Sequence, residues 1–147
     1  MRFELITPEG LHGVWDYVKT GLARIQEASP ERWRAEDVYA QCRYKLAHLY
    51  LGYDGDHCRG FFIVQVLKQP FSSEPYLNVW VLYGEPTRGE HCAEVTPFQD
   101  ETIAFLDNCA KHHGAKWIEF RGRWGWSRYA KQFFKAKQVI YEREVAL

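Results

Sequence analysis

Residues 48–83, HLYLGYDGDHCRGFFIVQVLKQPFSSEPYLNVWVLY, decide the architecture. Two apolar runs, His48 to Tyr53 and Gly60 to Gln69, flank Asp54-Gly55-Asp56. An Asp-Gly pair between such runs is a strong hairpin signal. The connection Gln69-Pro-Phe-Ser-Ser-Glu-Pro75 is polar and carries two prolines, so Tyr76 to Tyr83 adds a third strand to the same meander. A loop from Gly84 to Val95 follows.

Upstream, Phe3 to Ile6 reads as a short strand. Thr7 is placed to cap a helix that Pro8 opens at its first position. That helix sets Leu11, Trp15, Val18, Leu22 and Ile25 on one apolar face, and Ser29-Pro30 breaks it. A second helix runs from Pro30 or Ala35 to Leu46, with Val38, Cys42 and Leu46 at intervals of four. Downstream, Thr96-Pro97 repeats the cap-and-proline start. Phe98, Ile103, Phe105, Leu106 and Cys109 predict a helix ending near His113-Gly114. Trp117 to Arg121 predicts a strand, Trp126 to Lys135 a helix, and Val139 to Val145 a last strand of alternating pattern. The order β-α-α-β-β-β-α-β-α-β puts a meander before a crossover. It requires a mixed, mainly antiparallel sheet with helices on both faces, the α+β class.

A length of 147 residues and 17.4 kDa fits one domain spanning 1–147. With 46% hydrophobic and 26% charged residues the chain is globular rather than disordered. The apolar runs Phe61–Val64 and Val79–Tyr83 fall far short of the ~20 residues that span a bilayer, and MRFELITPEG lacks the regions of a signal peptide. The expectation is a cytoplasmic protein with no membrane partner, whose Cys42, Cys58, Cys92 and Cys109 are free thiols. The net charge of zero is unevenly spread: residues 111–147 hold nine Lys or Arg against three Glu, so +6 faces −6 in residues 1–110.

This element order resembles the GNAT acyltransferase superfamily over essentially the whole chain. The likeness is carried by Lys116-Trp-Ile-Glu-Phe-Arg-Gly-Arg123 before the last helix and Val139-Ile-Tyr-Glu-Arg143 after it. On the family's helix-four pattern, Ser127 takes an Asn place, Ala130 is an identity, Phe134 stands for a Tyr, and Gln138-Val139 stand for Gly-Phe. The Trp- and Arg-rich end is similar to the divergent GNAT-like proteins encoded by tailed bacteriophages, which implies a location in the host cytoplasm or virion.

The resemblance implies an acyl-CoA pyrophosphate held by backbone N–H groups of a Gly-x-Gly loop ahead of the third helix. Here that interval retains only Arg88-Gly89 and adds Glu85, Glu90 and Glu94, whose charges repel a phosphate. The expected site is degenerate, with no cofactor, or with acetyl-CoA as donor if catalysis is retained. The family's helix-four Tyr protonates the departing thiolate. Phe134 has no hydroxyl, and Tyr129, five residues earlier, projects from a different helix face. Glu119 and His91 are the candidates for a general base. If the protein is active, Glu119 and Tyr129 are its catalytic candidates.

Gly55-Asp-His-Cys58 and Gly89-Glu-His-Cys92 are near repeats that the meander brings to one rim. Their ligand types suit zinc, but the spacing lacks a Cys-x-x-Cys knuckle, and no metal is expected. Arg121, Arg123, Trp124 and Arg128, crowded into Arg121-Gly-Arg-Trp-Gly-Trp-Ser-Arg128, read either as a sheet-to-helix junction or as a contact surface. Three functions follow. One is a GNAT-like protein with a structural or interaction role and a protein partner. Another is an active acyl-CoA-dependent N-acetyltransferase with an atypical loop. The third is a nucleic-acid-associated module using the basic aromatic segment.

Overall fold

Consecutive residues are buried along the central strands, and they divide alternately between two clusters that define the two faces of a sheet. The computed structural model describes residues 1–85, 100–122 and 130–146. Its elements are β1 (Arg2–Ile6), α1 (Leu11–Ala28), α2 (Ala35–Arg43), β2 (His48–Asp54), β3 (His57–Lys68), β4 (Pro75–Gly84), α3 (Asp100–His112) and β5 (Ile118–Phe120). The sheet order is β1-β2-β3-β4-β5, antiparallel through β4 and parallel between β4 and β5. This is the expected mixed α+β architecture. Leu49, Leu51, Phe61, Ile63 and Val81 meet Leu11, Val18 and Leu22 of α1 and Val38 and Cys42 of α2 on one face. Tyr50, Phe62, Val64, Leu77, Val79 and Leu82 meet Leu106, Cys109 and Ala110 of α3 on the other. Each fully buried aliphatic side chain contributes about 1.5–3 kcal/mol. No helix among the described residues is long and apolar enough to cross a membrane.

The predicted β2–β3 hairpin forms around Gly55, whose φ of +60° suits glycine. The apolar face of α1 also lies as expected, but the helix starts later, at Leu11. The Thr7 hydroxyl and carbonyl both accept the Gly10 N–H, at 3.2 and 3.0 Å, which closes a separate turn before the helix. At α2 the Asp37 carboxylate accepts the Arg34 N–H at 2.8 Å, fixing the start at Ala35, and that bond holds the carboxyl below its usual range. The helix does not reach Leu46. Lys45 takes a φ of +61°, Leu46 and Ala47 donate back to the Gln41 carbonyl, and Leu46 is turned outward at 61% exposure.

Two further expectations are corrected at the end of the chain. After Ala130 the backbone makes one turn through Phe133 and leaves helical geometry before Lys135. The expected strand from Val139 to Val145 is absent. Its alternating residues find no edge among the described residues to bury one set against, and Val139, Ile140, Tyr141 and Val145 are all exposed. The starts predicted at Thr96-Pro97 and at Trp126 lie outside the described residues. Cys42, Cys58 and Cys109 are free thiols, and burial pushes the Cys42 thiol up to about 11; Cys92 lies outside the described residues.

At the start of β2 the His48 ring stacks on His113, centroids 5.4 Å apart, and His113 meets His112 edge-on at 5.1 Å. Burial holds both His48 and His113 below the ordinary imidazole range, helped by the charge of His113 on His48 and of His112 on His113. Between about pH 6.5 and the lower folded values the unfolded chain therefore binds more protons, so stability falls as pH drops through that window. Urea denaturation at pH 7.5 and 5.5 should show a lower midpoint in acid. His48→Gln should flatten that difference, and an unchanged slope would exclude the stacked pair as its source.

Candidate functional site

A bulge in β4 shapes the region where this strand parts from β5. Ile63 pairs with Val81 and Val64 with Val79, so Trp80 is an extra residue on β4. Both Trp80 and Val81 consequently turn toward the α1/α2 face. A bulge leaves its extra residue outside the ladder and bends the strand. The β4–β5 ladder ends one step earlier, at Val79 and Phe120, so β4 from Trp80 to Gly84 is not laddered to β5. Among the described residues, β4 and β5 therefore share a ladder only up to Val79 and Phe120, and we call the region beyond it, along β4 from Trp80 to Gly84, the opening between the two strands.

Alternation places Asn78 and Glu119 on the α1/α2 face, because their neighbours Leu77, Val79, Ile118 and Phe120 pack on the α3 face. Asn78 and Glu119 are ladder partners. The Asn78 amide donates to Gln65 Oε1 at 3.0 Å. Trp117 Nε1 donates to Glu119 Oε1 at 3.0 Å, and the Trp117 ring stacks on Tyr76 at 5.1 Å with an interplanar angle of 6°. Beyond Asn78, Trp80 meets Trp33 edge-on at 6.2 Å. The connection between α1 and α2 holds Trp33 there: Gln26 Nε2 donates to the Trp33 carbonyl at 2.6 Å, and Gln26 Oε1 accepts the Glu31 N–H at 2.5 Å.

The C-terminal segment also comes to this region. The Phe134 ring packs against Phe120 at 4.9 Å on the α3 face, whereas Glu142 forms an ion pair with Arg32 beside Trp33. Residues 135–141 thus carry the chain from one face of the sheet to the other.

Of the residues singled out by sequence, Glu119 is exposed on β5 beside the opening, and Arg121 is exposed just past the strand's end. Arg88, Gly89, Glu90, His91, Cys92, Glu94, Arg123, Trp124, Trp126, Ser127, Arg128 and Tyr129 lie outside the described residues. His57 Nε2 lies 3.2 Å from Glu85 Oε2, next to the hairpin turn, whereas the second His-Cys pair of the expected shared rim lies outside the described residues. Burial, reinforced by Cys58 and Glu85, raises the Tyr17 phenol nearby, and Arg24 Nη1 donates to Tyr83 Oη at 2.5 Å. Among the described residues no group of three or more His, Cys, Asp or Glu could hold a metal ion. Sequence reasoning missed Trp33, Asn78 and Trp80. The available signal was the run Val79-Trp80-Val81-Leu82, four apolar residues that break strict alternation as a bulge does.

Solved structures with this fold include acetyltransferases. The ribosomal-protein-alanine N-acetyltransferase from Brucella melitensis biovar Abortus 2308 matches 98% of this chain and 98% of its own, at 15% identity and a TM-score of 0.68. An aminoglycoside acetyltransferase from an uncultured soil metagenomic sample, in complex with sisomicin, matches 99% of this chain and 95% of its own, at 11% identity and a TM-score of 0.69. The protein therefore has a GNAT-like fold. No protein-family model and no curated protein matches the chain.

Proposed function

We propose that this protein is an acyl-CoA-dependent N-acyltransferase that works at the opening between β4 and β5. The observation that carries the reading is the bulge at Trp80 together with the end of the β4–β5 ladder at Val79. They leave β4 from Trp80 to Gly84 without a ladder to β5 among the described residues, and strand-edge N–H and C=O groups of this kind are what an extended, amide-bearing chain such as the pantetheine of acyl-CoA satisfies. Bound there, the donor supplies an activated acyl group. The protein's own part is to hold an amine on the α1/α2 face and to remove its proton. Glu119 is suited to this role, because the Trp117 indole N–H fixes one carboxylate oxygen and leaves the other to an ammonium group.

Isothermal titration calorimetry with acetyl-CoA tests the reading, with saturable binding expected and a flat titration counting against it. Two observations favour a second reading. Phe134 offers no hydroxyl and is packed against Phe120, and the segment following Gly84 is acidic and lacks a glycine pair. A GNAT-like protein with a degenerate donor site and a structural or protein-binding role, as in a phage particle, accounts for both. A flat titration from a folded sample supports it.

A further inference from the structure

The opening has two sides, and the side on the α1/α2 face has a composition that specifies what it receives. Glu119 lies between two aromatic surfaces. One is the Tyr76–Trp117 stack, one alternate residue back along the strands; the other is Trp80 with Trp33 against it, one alternate residue forward on β4. Trp80 is one alternate residue along and one strand across from Glu119, which sets their backbones on the order of 8 Å apart, a span that a ring on a two- or three-carbon arm covers. A carboxylate beside indole faces attracts a cation through both its charge and the ring quadrupole. Trp80 and Trp33 are half-buried, which leaves ring surface for an apolar group, and Arg32, next to Trp33 in the chain, is already paired with Glu142.

From this arrangement we infer that the acceptor is an arylalkylamine, its ammonium on Glu119 and its ring on Trp80 and Trp33. The inference rests on the acyltransferase reading for its chemistry but concerns an amine site that exists without the donor. The ammonium gives up one proton to the Glu119 carboxylate, the freed lone pair forms the amide bond as the thioester C–S bond breaks, and the nitrogen's second proton goes to the departing thiolate to give the free thiol of CoA. The electron pair leaves on sulfur.

The test is a titration of tryptophan fluorescence and heat with 2-phenylethylamine, butylamine and 2-phenylethanol, each with and without saturating CoA. Phenylethylamine should bind at least tenfold more tightly than either analogue, since butylamine lacks the ring and phenylethanol the charge. Trp80→Leu should erase the advantage over butylamine, and Glu119→Gln the advantage over phenylethanol. Equal affinity for phenylethylamine and butylamine would overturn the inference, as would no binding of either amine by folded protein that binds CoA. If the ring preference appears while CoA fails to bind, the amine site stands and the acyltransferase reading falls. If neither binds, both fall.

Discussion

Glu119→Gln should lower kcat/KM for amine acetylation by about 10²–10⁴-fold, the usual loss when a positioned general base is removed. The substitution keeps the shape and the oxygen that Trp117 Nε1 bonds, but removes the charge that draws in an ammonium and the site that takes its proton. Glu119 is exposed, so the melting temperature should change by the equivalent of less than ~0.5 kcal/mol. Steady-state kinetics with acetyl-CoA and 2-phenylethylamine, beside a denaturation curve, give both quantities. A loss under threefold in a folded variant would remove Glu119 from the chemistry and leave it as a solvated strand residue.

The largest loss of stability is expected at Gly60. It pairs with Gly52 on β2 and Gly84 on β4, forming a row of three glycines across the sheet. A Cβ at Gly60 would fall onto the Tyr83 carbonyl oxygen and lie 3.0 Å from the Gly84 Cα. Both obstacles are backbone, so relief requires β3 and β4 to move apart rather than a side chain to rotate. Overpacking that side chains can absorb costs about 1–3 kcal/mol, and Gly60→Ala should sit at or above that upper end. For a domain of this length that is a fall in Tm of roughly 10 °C. Gly84→Ala, whose Cβ meets nothing within 4 Å, is the control. Equal melting temperatures for the two variants would mean that the β3–β4 register differs from the one described.

The meander and the buried face of α1 were legible because each rests on a local period, two for strands and about three and a half for the helix. Helix ends were less so. Thr7-Pro8 has the composition of a helix start, yet its hydroxyl closes a turn on Gly10 and the helix waits for Leu11. Leu46 continues the spacing of Val38 and Cys42, but the left-handed Lys45 interposes. The segment from Val139 to Val145 has a strand's alternation, and alternation alone cannot supply the neighbouring edge that makes a strand. At the candidate site, Glu119 was singled out from its residue type and position. Its bond to Trp117 depends on side-chain direction, and the Trp33–Trp80 contact on how the α1–α2 connection lies over β4, neither of which a pattern encodes.

The parallel ladder of β5 has a kinetic consequence. Strands β1 to β4 pair with sequence neighbours, β2–β3–β4 through short turns. β5 must wait for the chain to cross by way of α3, and among the described residues its ladder is short, the Leu77–Ile118, Asn78–Glu119 and Val79–Phe120 pairs. Contacts that close a long loop form late and are the first to open. Native-state hydrogen exchange should therefore find the amides of Ile118 to Phe120 exchanging through a lower-energy opening than those of Phe61 to Val64. The wall that carries Glu119 would then detach and re-dock while the meander beneath it stays folded.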